Sequence, residues 1–144
     1  MPKSKTFLPD VNVWLALASP RHIHSRVCSE WLDTIYVEGL VFCRVTQMGL
    51  LRLLTNASVM GSDVLASRDA WRVYQSILTD ERIGFAPEPL VLEEQWKKLT
   101  SQEQPTPNVW TDTYLVAFAH SAAMRLVTLD RAVHILDPEA LVLH

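Results

Sequence analysis

Three aspartates occupy positions from which a carboxylate could do chemistry. Asp10 follows the short apolar run Thr6–Pro9, and Asp130 follows a second apolar run at residues 126–129. Asp112 lies near the start of residues 110–119, whose apolar residues leave little of a helix surface for solvent. Carboxylates that converge repel one another unless a cation neutralises them, and hard oxygen ligands select Mg²⁺ or Mn²⁺. Taken together, the three aspartates predict a divalent-metal site.

A metal held by these carboxylates suits phosphodiester hydrolysis. The cation would orient the phosphate, lower the pKa of a bound water to make the nucleophile, and stabilise the leaving 3′ oxygen. The sequence contains no Ser-His-Asp set, Gly-rich phosphate loop or paired-cysteine motif that would compete for this role. Each aspartate also has a structural interpretation by itself. Asp112 could complement a helix dipole, and Asp10 and Asp130 could be turn residues after strands.

The elements that would position these acids follow from the apolar pattern. Helical periodicity alternates with short apolar runs along the whole chain, which predicts one α/β domain over residues 1–144. We expect a central, mainly parallel sheet of four to five strands with helices on both faces. The expected strands are residues 6–9, 40–43, 83–85, 126–129 and 141–143, and the expected helices include 22–36, 46–54, 67–78, 91–99 and one from 110, with a loop at 57–65.

The predicted topology brings the candidate residues to one edge of the sheet. Open α/β sheets bind ligands outside the carboxyl ends of their strands, where Asp10, the Thr46-Gln47 turn and Asp130 would lie. Asp112 would then lean in from a neighbouring helix.

Four further residues are candidates for supporting roles at this edge. Asn12 is interpreted as the N-cap of the first helix, from where it could also orient Asp10. Thr128 shares the strand face of Asp130, so it either packs in the core or touches the metal-bound water. Gln47 could ligate or hold such a water through its amide oxygen. Arg52 could contact an RNA phosphate or simply pair with a nearby carboxylate.

The overall composition limits the class of protein. A chain of 144 residues that is 49% apolar can bury a core without disulfides, and a net charge of −3 gives no general attraction to nucleic acid. The two cysteines have neither metal-ligand spacing nor a disulfide framework, which indicates buried thiols in a reducing compartment. We find no signal-peptide core and no apolar stretch long enough to span a membrane, so a cytoplasmic protein without membrane contact is expected.

Four motifs, in order, resemble those of PIN-domain ribonucleases. They are Asp10-Val11-Asn12, Thr46-Gln47 with Arg52, residues 110–119 around Asp112, and Leu126-Val127-Thr128 with Asp130. The greatest similarity is to the small VapC-type toxins of bacterial toxin-antitoxin pairs, and it covers essentially the full chain. The resemblance implies a Mg²⁺-dependent endoribonuclease that cuts structured RNA such as transfer or ribosomal RNA and inhibits translation. It also implies a homodimer and a cognate antitoxin whose C-terminal segment crosses the active-site groove.

One departure from the family pattern keeps other functions open. Many family members carry Glu where this chain has Gln47, which lowers the formal negative charge of the site from four carboxylates to three. We therefore expect weaker binding of a second metal, with activity that needs more Mg²⁺ or prefers Mn²⁺. An alternative function is a catalytically weak PIN-like module for RNA binding or protein interaction. A receiver-like domain phosphorylated on Asp10 is disfavoured, because Val11 and Asn12 stand where its second acid is expected.

Overall fold

A computed structural model describes residues 6–144. The expectation that the chain has no signal peptide concerns the start of the chain, and residues 1–5 of it lie outside the described range. Short loops join the elements, and a 3-10 turn at Gly61–Asp63 follows the fourth helix. The elements in chain order are β1 (Thr6–Pro9), α1 (Val11–Ala18), α2 (Ser25–Asp33), β2 (Gly39–Phe42), α3 (Arg44–Leu54), α4 (Ala57–Met60), α5 (Ser67–Ile77), β3 (Ile83–Phe85), α6 (Leu92–Leu99), α7 (Trp110–Ser121), β4 (Arg125–Thr128), α8 (Val133–Leu136) and β5 (Leu141–Val142).

The five strands form one parallel sheet in the order β3-β2-β1-β4-β5. β1 is central, with Phe7 opposite Leu40 of β2 and Leu8 opposite Leu126 of β4. Because every pairing is parallel, all carboxyl ends lie along one edge, which we call the carboxyl edge. The predicted parallel α/β architecture is confirmed.

Both faces of the sheet are covered, as the continuous apolar character of the strands predicted. Successive residues of β1 point to opposite faces: Leu8 packs in the cluster built around α7, and Phe7 packs against Trp31 of α2. Seven consecutive residues of α7, from Thr113 to Ala119, are buried. A helix buried on all sides holds its first turn, which carries Asp112, in a defined position.

A close approach fixes α1 against α3. A Cβ built on Gly49 would lie 2.6 Å from Cγ2 of Val11, which is far inside van der Waals contact. Glycine is therefore required at position 49 for α1 to pack this closely. Since α1 begins directly after Asp10, this packing also helps to place that carboxylate.

Beyond shifts of one or two residues in the bounds of elements, two expected elements differ from those observed. The helix expected over 22–36 is limited to Ser25–Asp33, and the loop expected at 57–65 contains α4 and the 3-10 turn. Asn56 starts α4 by accepting a hydrogen bond from the backbone N–H of Ser58 at 2.9 Å. The short helix α8 was not expected. None of the helices within residues 6–144 has the length and apolar character needed to cross a membrane.

Candidate active site

Asp10 is a nearly buried carboxylate at the carboxyl end of the central strand. Its side chain is 8% exposed. Its Oδ1 accepts hydrogen bonds from the backbone N–H groups of Asn12 (2.9 Å) and Val13 (3.4 Å), and its Oδ2 accepts one from the hydroxyl of Thr128. Burial raises the pKa of Asp10 above its ordinary value, against the effect of these three donors, and the charge of Asp112 raises it further.

The prediction that Asn12 caps the first helix is wrong. Asp10 is the N-cap of α1, and Asn12 is the second residue of the helix, with an exposed side chain. Both residue types are good caps, so the assignment depended on where the strand ended. Asn12 therefore supports Asp10 through its backbone N–H.

Thr128 connects two of the aspartates. Its buried hydroxyl donates to Oδ2 of Asp10 and accepts from the backbone N–H of Asp130 at 3.1 Å. β1 and β4 are neighbouring strands, and the backbone N–H of Asp10 donates to the carbonyl of Val127 at 2.8 Å. Thr128 thus orients Asp10 and also fixes the backbone at Asp130, in addition to packing in the core.

Asp112 and Asp130 have less restrained carboxylates. Asp130 is exposed, and its Oδ1 accepts from the backbone N–H of Ala132 at 2.9 Å. Asp112 is half-buried in the first turn of α7, and its side chain has no hydrogen bond or ion pair with any residue in 6–144. Burial raises the pKa of Asp112, and the negative charge of Asp130 adds to this increase.

The three aspartates therefore form an electrostatically coupled series, with Asp112 acting on Asp10 and Asp130 acting on Asp112. Their oxygens are hard donors of the type that Mg²⁺ and Mn²⁺ prefer, and a cation would relieve the repulsion between them. By donor chemistry the set fits a divalent cation. However, no three His, Cys, Asp or Glu side chains within residues 6–144 are arranged as a metal-binding group.

Gln47 is buried at the start of α3, where its Oε1 accepts a hydrogen bond from Nη1 of Arg44 at 2.6 Å. Arg44 itself lies over the ring of Phe85, with its Cζ 4.8 Å from the ring centroid. Sequence reasoning missed this arginine at the carboxyl edge. Arg52, the predicted RNA contact, is exposed in the last turn of α3, roughly 12 Å along the helix from Arg44 at 1.5 Å per residue.

A second missed interaction supports the start of α7. The hydroxyl of Tyr114 donates to Oε1 of Glu88 at 2.7 Å, which ties the helix two residues beyond Asp112 to the loop after β3. Trp96 of α6 adds a further tie, because its Nε1 donates to the carbonyl of Trp110 and to the hydroxyl of Thr113, each at 3.1 Å. These partners come from distant parts of the chain, so no local pattern could reveal them.

Comparison with known proteins shows which family the chain belongs to. Residues 7–137 match the PIN domain family. The chain belongs to the PIN domain family. Within it the chain is of the VapC type, since it is 48% identical over 130 residues to Ribonuclease VapC41 of Mycobacterium tuberculosis. That similarity covers 87% of this chain and 89% of the relative. Ribonuclease VapC38 of the same organism is 30% identical over 127 residues, with 88% and 86% covered. The suspected PIN-domain, VapC-type relationship is confirmed.

Solved structures share the fold of this PIN domain. VapC20 of Mycobacterium tuberculosis, described as a Sarcin-Ricin loop cleaving toxin, aligns with a TM-score of 0.70 at 11% identity, over 96% of this chain and 99% of that one. A toxin-antitoxin complex from Klebsiella pneumoniae contains a chain that aligns with a TM-score of 0.62 at 14% identity, over 94% and 95%. At such low identity these similarities show the fold alone.

Proposed function

We propose that this VapC-type PIN domain is an endoribonuclease and the toxin of a toxin-antitoxin pair, acting on structured RNA of the transfer or ribosomal class. The observation that carries the proposal is Asp112, a half-buried carboxylate without a protein partner in residues 6–144, coupled by charge to Asp10 and Asp130. A partly buried carboxylate that no residue in the described range neutralises is a candidate for function. The names of the relatives, which are ribonucleases, support RNA as the substrate.

Each aspartate would have a different part in the reaction. Asp10, Asp112 and Asp130 would hold Mg²⁺, or Mn²⁺ in its place, and the cation would supply Lewis acidity toward the scissile phosphate and the attacking water. Asp10 is held rigidly by Thr128 and by the first turn of α1. Among residues 6–144, none forms a hydrogen bond or ion pair with the carboxylate of Asp112, so this carboxylate can adjust to a ligand. Asp130 is exposed and reaches the solvent side, from which an RNA strand would approach.

The decisive experiment compares Asp112→Asn with a matched control. Asp69→Asn removes the same charge from an acid on α5 that pairs with arginines on its own helix. We expect the purified wild-type protein and the control to cleave transfer or ribosomal RNA in Mg²⁺ or Mn²⁺. Asp112→Asn should lower the rate about 100-fold or more, as does loss of a group that stabilises transition-state charge. Undiminished cleavage by Asp112→Asn, or cleavage that survives EDTA, would refute the proposal.

Three further measurements address metal binding and the effect of the protein in cells. Calorimetric titration with Mn²⁺ should show binding to the wild-type protein and weaker binding to Asp112→Asn, independently of activity. Metal titration of Gln47→Glu tests whether the missing fourth carboxylate limits affinity, and an unchanged affinity would count against that hypothesis. Expression in bacteria should arrest growth and create new RNA 5′ ends, both absent with Asp112→Asn.

We also propose a homodimer that binds a cognate antitoxin. Several large apolar side chains are almost fully exposed, namely Ile23, Tyr36, Val37, Leu90 and Ile135, and their burial in an interface would contribute hydrophobic stabilisation. Light scattering of the purified protein should give twice the mass of 16.4 kDa. A monomer at micromolar concentration would exclude the dimer.

A weak or inactive RNA-binding module is the second candidate. It is favoured by the absence of a ready three-ligand group within residues 6–144 and by the engagement of Gln47 with Arg44. RNA binding by the wild-type protein without cleavage in either metal would support it over the nuclease.

A further inference from the structure

A cavity lined by basic side chains lies between β5 and the turn that follows Asp130. It has a volume of about 400 Å³ and is lined by Arg131, His134, Ala140, Val142 and His144. Each titratable side chain in its lining is basic, in a chain whose net charge is −3. We propose that this cavity binds a backbone phosphate of the RNA substrate, next to the phosphate that is cleaved. The proposal rests on the proposed function and names a second site of interaction with the same substrate.

The register of the sheet places the cavity next to Asp130. Thr128 of β4 is opposite Val142 of β5, and the backbone N–H of Leu143 donates to the carbonyl of Thr128 at 2.9 Å. β5 therefore lies beside the end of β4, and Arg131, which lines the cavity, directly follows Asp130 in the chain. Consecutive Cα atoms are about 3.8 Å apart, so a strand of RNA that reaches Asp130 also reaches this cavity.

Backbone hydrogen bonds order the turn after Asp130, which carries Arg131 and His134. The carbonyl of Asp130 accepts from Val133 N–H at 3.2 Å, and that of Arg131 accepts from His134 N–H at 3.1 Å. The ring of His144 is oriented by its Nδ1, which lies 3.2 Å from the carbonyl oxygen of Val142 and donates to it. Val133 and Ala140 are buried beneath these groups, so the wall of the cavity rests on the core.

The chemistry of the lining selects an anion with several oxygens. A guanidinium forms bidentate hydrogen bonds to phosphate, and an imidazole N–H of His134 adds a further donor. None of the side chains that line the cavity is a carboxylate, so a metal cation has no ligand from an acidic side chain there. The negative charges of the aspartates repel phosphate, whereas the basic side chains of this cavity attract it. These opposite electrostatic effects would set the position of the RNA strand along the carboxyl edge.

The test measures RNA binding by a double variant, Arg131→Gln with His144→Gln. The matched control is Arg68→Gln with His24→Gln, which changes the same residue types at exposed positions of other elements. Affinity for a single-stranded RNA oligonucleotide and for a transfer RNA is measured in EDTA over a range of salt concentrations. We expect about tenfold weaker binding by the double variant, and a salt slope that is lower by about 0.7 for each phosphate that the variant no longer neutralises. Binding by the control should be unchanged.

A conservative variant and a thermal unfolding curve distinguish the loss of a phosphate contact from the loss of the fold. Arg131→Lys should retain part of the affinity, because it keeps the charge but loses the bidentate geometry. Thermal unfolding should show that the double variant is folded. If the double variant is unfolded, Arg131→Gln and His144→Gln tested singly provide the same comparison.

The outcomes separate this inference from the proposed function. Wild-type protein that cleaves RNA, with a double variant of unchanged affinity and salt slope, overturns the cavity as a phosphate site and leaves the nuclease intact. Wild-type protein that binds RNA without cleaving it, with a weakened double variant, supports the cavity and refutes the nuclease. Failure of the wild-type protein to bind RNA overturns the inference.

Discussion

Replacing Thr128 by valine removes one hydroxyl at the centre of the candidate site with little change in shape. The hydroxyl donates to Asp10 and accepts from the backbone N–H of Asp130, and Thr128 is 0% exposed, so water cannot replace it. A hydrogen bond to a charged group contributes about 1.5–3 kcal/mol, and a backbone N–H left without a partner costs about 1 kcal/mol more. We expect the free energy of unfolding to fall by about 2–4 kcal/mol, measured by urea denaturation.

The same substitution should weaken metal binding in a pH-dependent way. The Thr128 hydroxyl opposes the rise in the pKa of Asp10 that burial causes, so its removal raises that pKa further. A metal binds the deprotonated carboxylate, and more of Asp10 is then protonated at any given pH. Thr128→Val should therefore need more Mn²⁺ than the wild-type protein for half-saturation, and the difference should grow as the pH is lowered from neutral.

Thr128→Ser provides the control, because it keeps the hydroxyl and removes only a methyl group. It should lose about 1 kcal/mol of stability from reduced burial and keep the metal response of the wild-type protein. The reasoning is refuted if Thr128→Val unfolds at the same urea concentration as the wild-type protein, or if serine and valine shift the metal requirement equally.

Three further predictions concern the scaffold of the site. Asp10→Asn should abolish cleavage yet be at least as stable as the wild-type protein at neutral pH without divalent metal. Burial raises the pKa of Asp10 in the folded state, so the charged carboxylate lowers the stability of the wild-type protein, and this stability is recovered as the pH falls through that pKa. The melting temperatures of the wild-type protein and of Asp10→Asn, measured against pH, should therefore converge in acid. Gly49→Ala should destabilise the fold by about 1–3 kcal/mol through its clash with Val11, and adding Val11→Ala should restore part of this in thermal unfolding. Arg82→Met should cost about 2–3 kcal/mol in urea, because Arg82 donates to the carbonyls of Leu32 (3.0 Å) and Ile35 (2.7 Å) and pairs with Asp80; full wild-type stability would contradict this.

The sequence was sufficient for the fold because the strands are buried on both sides. Runs such as 6–9 and 126–129 are continuously apolar, and the helices between them have clear periodicity, so the parallel arrangement followed from alternation alone. The placement of Asp10 and Asp130 at strand ends followed from the same argument. Short helices were missed where they have no apolar periodicity: α4 and α8 are four residues long, too short to show a period of 3.6.

Interactions between side chains from distant segments could not be predicted in this way. The sequence placed Gln47 at the carboxyl edge, but its oxygen is bonded to Arg44, whose guanidinium packs on Phe85 from the neighbouring strand. Thr128 was expected either to pack in the core or to touch a metal-bound water. Its hydrogen bond to Asp10 was not expected, because it depends on the pairing of β1 with β4. Such details require the register of the sheet, which residue types and spacing leave open.

Asp10 has a structural role, which belongs to its Oδ1, and a proposed catalytic role, which depends on the charge of its carboxylate. Oδ1 caps α1 through two backbone N–H groups, while Oδ2 faces Thr128 and the charge of Asp112 acts on the carboxylate. Substitution by alanine would remove the cap, at a cost of about 1 kcal/mol, together with the charge. Loss of activity in that variant would then have two explanations. Asparagine retains a capping oxygen, although its NH₂ group replaces the oxygen that accepts from Thr128. Asp10→Asn therefore separates the loss of the charge from the loss of the cap, which Asp10→Ala does not.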